Sequence, residues 1–360
     1  MSDTRLSVDI NGDELTDDLL EAGAEVEVEE AIDEPDAASI TVGIEAHSDG
    51  EWSSLLDELA APDAELVVNI SRSSDAYTFS GLVVGASWTI DAEGASQIVV
   101  RAVDRTVEMD RVERVMSWPG SADSAIASTI FSSYGFAAEV EPTQSGPSPD
   151  AFTPLQRGTD LAFLRSLAAK RGYSMFLEVD GDKVVGHFRT IDPAAPSSAS
   201  LRLGFGADAY SSQIEVDFDG GGAVRAARIP ALADGPTDAN VDGSDELMGD
   251  EPITVPATSL LGPDDVDGEI DPFEAATAQA RRAAFGVRLT AKTDPIRRGP
   301  LVRARRTVDV AGLGSRLSGL YLAERVRHRL DADHHEQEVV LIRNALGSGS
   351  GLLGGLGGLV

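Results

Sequence analysis

The residues of this chain that could carry out chemistry are its histidines and carboxylates, because it contains no cysteine. Disulfides, thiolate metal ligands and cysteine nucleophiles are therefore excluded. The five histidines do not show the HExxH spacing of a zinc protease. His328, His334 and His335 form the one histidine cluster, and the last two fall in a predicted turn. We interpret them as a solvated turn, with a metal site as the alternative.

A run of acidic residues around position 268 is the second candidate metal site. Gly268 could provide the bend of a cation-binding loop, but an EF-hand needs a different spacing and a distant glutamate. A hydrated acidic loop is the preferred interpretation and a specific cation site is the alternative. The acidic residues of this run are Asp264, Asp265, Asp267, Glu269 and Asp271.

Catalytic signatures are missing from the sequence. None of the three lysines follows a glycine-rich run, as a P-loop would require, and no serine lies in a nucleophile-elbow context. With 61 aspartates and glutamates, a pair of carboxylates says nothing about acid–base catalysis. We therefore predict no catalytic, cofactor-binding or metal-binding residues and no enzymatic activity. The alternatives are a cell-envelope hydrolase, which needs a pocket with convergent, pKa-shifted carboxylates, and a secreted module that binds carbohydrate or protein.

The net charge of −32 indicates the solvent in which the protein works. Only 29 residues are basic, and three of those are lysine (Lys170, Lys183 and Lys292). In molar salt the Debye length falls to roughly 3 Å, so the repulsion between acidic side chains is screened. Abundant acid with so little lysine therefore predicts a halophilic source. It also argues against nucleic acid as a primary ligand, because a phosphate backbone needs a basic face.

Arginine is concentrated near the end of the chain, where three arginines alternate with apolar residues and histidine over positions 325–330. Alternation on a strand predicts one basic face and one face that turns inward. In so acidic a protein we expect these arginines to form ion pairs across subunit interfaces. A solvated face and a basic lumen that contacts nucleic acid or cargo are the alternatives. The candidate interface residues are Arg303, Arg305, Arg325, Arg327 and Arg329.

The elements that position these residues divide the chain into three regions and a tail. Residues 1–110 read as short alternating strands with one helix and predict a first small β-barrel. Residues 111–197 mix helices and strands, and residues 198–346 return to strands, which predicts an α+β module followed by a second β-barrel. The segment 231–271 is acidic and rich in proline and glycine, so it predicts a long surface loop. Residues 347–360 predict a flexible tail.

The central region contains the clearest local pattern, a helix followed by a hairpin. Thr159 can cap the helix start, and Gly172 can end the helix after a lysine–arginine pair. Asp180-Gly181 then predicts a tight turn between two strands. No catalytic group is evident in this unit.

The run TDLAFLRSLAAKRGYSMFLE in that unit resembles the signature of the phage late-control protein D family, the tail-hub relatives of VgrG. In that family a polar pair, an aromatic–leucine helix, a glycine and an aromatic strand occur in this order. Near the end of the chain, Ser315–Leu322, Val326–His328 and Val339–Asn344 resemble the family's closing pattern. That pattern is a glycine–tyrosine strand, a V-x-H and a final arginine–asparagine. The resemblance covers most of the chain from Leu6 to Leu346.

Two hairpins of the sequence are similar to each other, which predicts a duplicated barrel. Phe79–Val84 and Gln97–Arg101 have counterparts in Leu317–Leu322 and Gln337–Leu341. Three copies of such a chain would place six similar barrels in a ring of pseudo-sixfold symmetry. We therefore predict a mainly β fold with an α+β insert, in which two similar, tail-tube-like β-barrels flank the α+β module.

The resemblance implies a homotrimeric baseplate hub that adapts a hexameric tail tube protein to a trimeric spike. Further implied partners are baseplate wedge, LysM-type adaptor or tape-measure proteins. The hub would belong to a virion tail or to an injection particle assembled in the cytoplasm or found outside the cell, in high salt. We expect a separate spike chain, no membrane span and no signal peptide. An apolar, glycine-rich end predicts insertion into a partner through Leu352, Leu353, Leu356 and Leu359.

Overall fold

The computed structural model has a mainly β architecture with a small mixed module in its middle. None of the helices in the described ranges is long and apolar enough to cross a membrane. The described residues are 4–44, 54–72, 75–91, 96–144, 153–204, 211–218, 226–229, 237–240, 247–253, 258–260, 272–293 and 299–347.

The first half consists of seven strands and two short helices. Apolar residues alternate along its strands and point to one side, as Leu66, Val68 and Ile70 do in the fifth strand. The elements are β1 (Thr4–Ile10), β2 (Asp13–Glu14), α1 (Thr16–Glu21), β3 (Glu25–Ala31), β4 (Ala37–Ile44), α2 (Ser54–Leu59), β5 (Glu65–Arg72), β6 (Asp75–Thr89) and β7 (Ser96–Asp104).

The central module has its own apolar core beneath its two longer helices. Its elements are α3 (Thr106–Met109), β8 (Arg114–Ser117), α4 (Asp123–Ser133), β9 (Ala137–Val140), β10 (Leu155–Gly158), α5 (Asp160–Arg171), β11 (Ser174–Asp180) and β12 (Lys183–Arg189). The predicted helix and hairpin are confirmed. Thr159 accepts a hydrogen bond from the Ala162 amide at 3.2 Å, and Gly172 ends α5 with a φ of 69°. Gly181 forms the turn between β11 and β12.

The second half contains the remaining strands, most of which surround a second apolar core. Its elements are β13 (Ala199–Arg202), β14 (Ser211–Phe218), β15 (Ala226–Ile229), β16 (Thr237–Asn240), β17 (Glu251–Pro252), β18 (Thr258–Leu260), α6 (Pro272–Ala283), β19 (Val287–Thr293), β20 (Thr307–Ala311), α7 (Gly314–Leu317), β21 (Gly319–Leu330), β22 (His335–Arg343) and β23 (Ala345–Leu346).

Both halves contribute to one 13-stranded sheet and arrange six strands in the same order. The order in the first half is β1-β5-β6-β7-β4-β3, and in the second half it is β13-β20-β21-β22-β19-β14. The halves are joined where β3 pairs antiparallel with the second part of β21. One difference is that β1 and β5 are antiparallel, whereas β13 and β20 are parallel.

A shared backbone irregularity identifies equivalent residues in the two halves. Asp63 and Arg305 both have a positive φ, 62° and 63°. Asp63 donates its amide to Val83, and Arg305 donates its amide to Ala323, at 3.0 and 2.8 Å. The strand pairing shifts register just after Val83 and just after Ala323. Val83 and Ala323 are therefore equivalent, and the numbering along β6 and β21 differs by 240.

The sequence repeat identified the right hairpins but in a shifted register. It matched Gly81 with Gly319, whereas the structural equivalence matches Gly81 with Tyr321. The segment between the positive-φ residue and the bulge differs in length between the two halves. The sequence pattern alone does not show where the extra residues lie.

The predicted mainly β fold with an α+β insert is confirmed, with two corrections. The described strands do not close into two separate barrels, because β3 and β21 pair and continue one sheet across both halves. The division into domains at residues 1–110, 111–197 and 198–346 stays a prediction. Within the predicted loop 231–271, the short strands β16, β17 and β18 are formed. The strand β20 begins at Thr307, directly after the backbone turn at Arg305.

Candidate assembly interface

A ladder of ion pairs lies on the outer face of the junction between β3 and β21. Arg327 pairs with Glu29 (Nη2–Oε2, 2.5 Å) and with Glu27 (Nε–Oε1, 3.3 Å). Arg325 also contacts Glu29, at 2.5 Å, and Arg329 contacts Glu27, at 2.9 Å. The arginine side chains are about one-third to two-fifths exposed. The predicted basic face therefore exists, and within one chain its charges are matched by an acidic strand.

A buried ion pair lies on the inner face of the same junction. The Glu30 carboxylate, fully buried, accepts hydrogen bonds from the Arg303 guanidinium at 2.7 to 2.9 Å. The guanidinium stacks over the Tyr77 ring, 4.1 Å from its centroid. Burial, with the nearby carboxylates of Asp36 and Glu30, raises the pKa of Tyr77 well above its usual value, so its hydroxyl stays protonated.

Arg305 forms a second buried pair that ties the first half to the central module. Its guanidinium contacts the Asp36 carboxylate at 2.5 and 3.2 Å and donates to the Ala31 carbonyl at 2.7 Å. It also stacks over the Phe176 ring of the module, at 4.5 Å. Burial raises the pKa of Asp36 to about 7, although the Arg305 charge opposes that rise.

The central module is held against the second half by Arg306 and Thr307. Arg306 contacts both Glu178 carboxylate oxygens, at 3.0 and 2.8 Å, and His187 approaches the same carboxylate at 3.4 Å. Burial favours protonation of Glu178, but the hydrogen bond from His187 and the Arg306 charge lower its pKa to about 2. Thr307 donates to the carbonyls of Ala195 and Pro196.

Two histidines lie inside the second half next to this junction. His328 Nδ1 and His335 Nε2 are 3.1 Å apart, and both rings are buried. Burial lowers the pKa of each ring to about 3, so both are neutral at pH 7. His334 is exposed in the turn, as predicted from the sequence, but the prediction of a solvated turn is wrong for His335, which begins β22 and is buried. Within the described ranges no three His, Asp or Glu side chains are grouped so that they could hold a metal ion.

Three carboxylates with displaced pKa values surround a space that is too small for a substrate. Asp36, Asp104 and Glu178 converge there with Tyr77 and Arg303, but the space measures only about 10 Å³. Burial also raises the pKa of Asp104. A water molecule needs about that volume, and a small-molecule site needs several hundred Å³. The convergent carboxylates are therefore packed into the junction.

Two larger cavities flank the central module. One, of about 830 Å³, lies between β9, the end of β12 and residues 305–307. The other, of about 610 Å³, lies between the module and the second half and is lined by Arg281, Arg282 and Arg288 together with acidic and apolar residues.

The structure brings all five predicted interface arginines to one junction. They use partners that the sequence reasoning did not single out, namely Glu25, Glu27, Glu29, Glu30 and Asp36. The sequence feature that could have predicted these partners is the alternation of glutamate with valine along β3, which matches the alternation of arginine with other residues along β21. The role of the five arginines between subunits stays a prediction. The leucines of the predicted inserting tail and the acidic residues 264–271 lie outside the described residues.

The fold is shared with solved tail proteins. The chain is similar to a tail protein from Neisseria meningitidis at 13% identity, with a TM-score of 0.67 over 96% of this chain and 98% of that chain. A 43 kDa tail protein of prophage MuSo2 from Shewanella oneidensis is similar at 14% identity, with a TM-score of 0.65 and coverage of 95% and 99%.

A third similar structure is an Escherichia coli component of the type VI secretion system. It is described as structurally similar to the T4 bacteriophage tail proteins gp27 and gp5, and it matches at 12% identity with a TM-score of 0.55 over 97% of this chain and 79% of that chain. At these identities the similarity establishes the fold. A tail-hub-like fold is shown, whereas the narrower assignment to the late-control protein D family is not.

Sequence comparison supplies the family. No curated protein matches the chain in sequence. A family model described as the Alg8 N-terminal domain matches residues 2–221, which is more than half of the chain and includes the first half, the central module, β13 and β14. The chain belongs to the family of the Alg8 N-terminal domain.

Proposed function

We propose that the protein is a structural, non-catalytic baseplate hub. In this proposal three copies form a pseudo-sixfold ring that adapts a hexameric tail tube to a trimeric spike. The particle would be a phage-like tail or a contractile injection system of a halophile. The spike, the tube, and wedge, LysM-type adaptor or tape-measure proteins would be its partners.

The observation that carries this proposal is the repeated six-strand order within one chain. The two six-stranded halves of one chain are joined through unlike edges. If the same kind of contact joins one chain to the next, three chains place six similar units around one axis. The fold of the similar tail proteins, which covers nearly the whole chain, also supports the hub proposal. The convergent carboxylates favour this reading over an envelope hydrolase, because they fill the junction and leave no room for a substrate.

The charge of the chain supports a high-salt setting for this assembly. A net charge of −32 opposes the association of copies in dilute buffer. At about 1 M salt the Debye length is roughly 3 Å, and contacts at short range then dominate. Assembly should therefore strengthen as salt rises.

Light scattering after size-exclusion chromatography in about 2 M salt tests the stoichiometry under screened conditions. The expected mass is three times the 37.8 kDa of the chain. Electron microscopy of the same sample should show a ring with six similar lobes. A stable monomer or dimer under these conditions, with or without purified tube protein, contradicts the hub proposal.

A further inference from the structure

Two strand edges of the 13-stranded sheet have no neighbour among the described strands. The first edge is residues 84–89 of β6, which pair with β7 on one side only. The second is β14, which pairs only with β19 and ends the sheet. Edge strands present unpaired backbone N–H and C=O groups and are ready to accept another strand.

The junction inside the chain shows how such edges fit together. Residues 325–330 of β21 are the counterpart of residues 85–90, and their edge is covered by β3. The strand β14 is in turn the counterpart of β3. On four neighbouring strands of the first half, the residues paired with one another in turn are Ala86, Val100, Ile40 and Val26. The equivalent residues of the second half are Val326, Val339, Ala291 and Ile214.

This correspondence assigns an equivalent to every residue of the open edges. Trp88 corresponds to His328, and Ile90 corresponds to Leu330. On the other edge, Phe218 corresponds to Glu30. In the covered junction these inward positions are buried, with exposed fractions of 0%, 3% and 0% for His328, Leu330 and Glu30.

At the open edges the same inward positions carry exposed apolar side chains. Trp88 is 50% exposed, Ile90 is 67% exposed and Phe218 is 59% exposed. Large apolar side chains at a strand edge favour association with another strand, since burial would remove their surface from water. We infer that residues 84–90 of one copy pair antiparallel with β14 of the next copy, with Trp88 opposite Val216 and Ile90 opposite Ile214.

The outer face of this pairing is also complementary in charge. Asp217 and Glu215 take the places that Glu29 and Glu27 occupy in β3. The β6 residues in the places of the β21 arginines are small. The side chain of Arg101, on the neighbouring strand β7, lies over them. A Cβ built on Gly85 would lie 3.5 Å from Arg101 Nη2, and Arg101 donates to Ser87 Oγ at 3.3 Å. Among the described residues it has no carboxylate within ion-pair distance, so Asp217 of the next copy fits as its partner.

The proposed contact joins unlike edges and therefore favours a ring over a twofold dimer. Each copy offers the β6 edge to one neighbour and the β14 edge to the other, as in any heterologous interface that closes by rotation. This inference rests on the hub proposal for the number of copies, but the strand pairing itself does not depend on that number.

Disulfide cross-linking tests the pairing, because the natural chain has no cysteine. Ser87→Cys and Asp217→Cys on separate chains, mixed and oxidised, should give a cross-linked pair, since directly opposite residues have Cβ atoms about 5 Å apart. The double variant on one chain should give covalent trimers. Ser87→Cys mixed with Glu215→Cys is two residues out of register and should cross-link much less. A trimer by light scattering without the Ser87–Asp217 cross-link overturns this inference and leaves the hub proposal standing.

Trp88→Asp provides an independent measurement. We expect association to weaken at least about 30-fold, as for an interface tryptophan, while circular dichroism shows a folded chain. Val115→Asp is the control, because Val115 is 80% exposed on β8, away from both edges, and should leave association unchanged. Unchanged association in Trp88→Asp overturns the pairing. A cross-link with oligomers larger than trimers supports the pairing and overturns the threefold hub, whereas a chain that stays monomeric without a cross-link overturns both.

Discussion

The covered junction between β3 and β21 and the open edges of β6 and β14 occupy equivalent places in the two halves but carry different chemistry. The covered junction has an arginine–glutamate ladder outside and Glu30 and His328 inside. The open edges have Trp88, Ile90 and Phe218 at the inward positions. The two halves therefore share a backbone arrangement while their side chains at these positions differ.

The difference follows from how the two contacts form. Strands within one chain are tethered, so their junction can include buried polar groups that fix its register, and a slip by one residue would turn the charged side chains inward. Strands of separate copies must first overcome the loss of translational and rotational freedom. Apolar side chains supply that driving force, and in high salt they do so without opposition from the net charge.

The largest expected effect is on the covered junction. Arg305→Ala removes a buried guanidinium together with its hydrogen bonds to Asp36 and the Ala31 carbonyl, and breaking a buried pair typically costs about 3–5 kcal/mol of unfolding free energy. Denaturant unfolding monitored by fluorescence measures the loss.

Asp63→Ala is the matched control for that change, because Asp63 has the same positive φ in the first half and an exposed side chain. Its expected cost is about 1 kcal/mol, since the backbone strain of a non-glycine residue is unchanged and only a surface ion pair is lost. Equal losses in the two variants would mean that the buried ion pair of Arg305 stabilises the fold no more than the exposed ion pair of Asp63.

Arg305 also illustrates what the sequence could predict. Strands with alternating apolar residues, the capped helix α5 and the Asp180-Gly181 hairpin depend on local chemistry and were predicted. The duplication was recognised from short motifs. By contrast, the turn at Arg305 and the contact of its side chain with Asp36, far away in sequence, could not be predicted from local chemistry.

The pairing of β3 with β21 could not be read from the sequence for a related reason. The two strands are about 300 residues apart, and each one taken alone has an inner and an outer face that would suit a separate barrel. The five arginines lie at a junction within the chain, and the role predicted for them between subunits stays a prediction. Whether they face their own chain or a neighbour depends on sheet order, which alternation does not encode.

The second prediction concerns pH and the polar interior of the second half. The pKa of His328 is about 3 when folded and 6.5 as the ordinary value, so the unfolded chain binds the extra proton between these values. Stability from this residue is present above pH 6.5 and is lost as pH falls towards 3, by about 2 kcal/mol between pH 6.5 and pH 5. Burial raises the pKa of Asp36, so the folded chain binds a proton there between pH 4 and 7. The contribution of Asp36 to stability therefore rises as pH falls, opposite to that of His328.

His328→Gln should therefore flatten the acid side of the stability–pH curve, measured by denaturant unfolding from about pH 5 to pH 7. Gln337 already hydrogen-bonds within this interior, so an amide is compatible with it. His334→Gln is the control, because His334 is exposed and should leave the slope unchanged. An unchanged slope in His328→Gln, with a changed one in His334→Gln, would exclude the buried ring as the acid-sensitive group.

The smallest expected effect separates the outer faces of the two contacts. Arg327→Ala removes one rung of the exposed ladder and should cost about 0.5–1 kcal/mol of monomer stability at about 0.3 M salt, and less at about 2 M, where exposed charges are screened. Arg101→Ala should leave monomer stability within about 0.5 kcal/mol but weaken association of the copies, because its inferred partner is Asp217 of the next copy. Denaturant unfolding of the dilute chain and light scattering at higher concentration measure the two quantities separately. If Arg101→Ala destabilised the monomer as much as Arg327→Ala while association stayed intact, the two edges would not be equivalent. The charge match on the outer face of the open edge would then have to be abandoned.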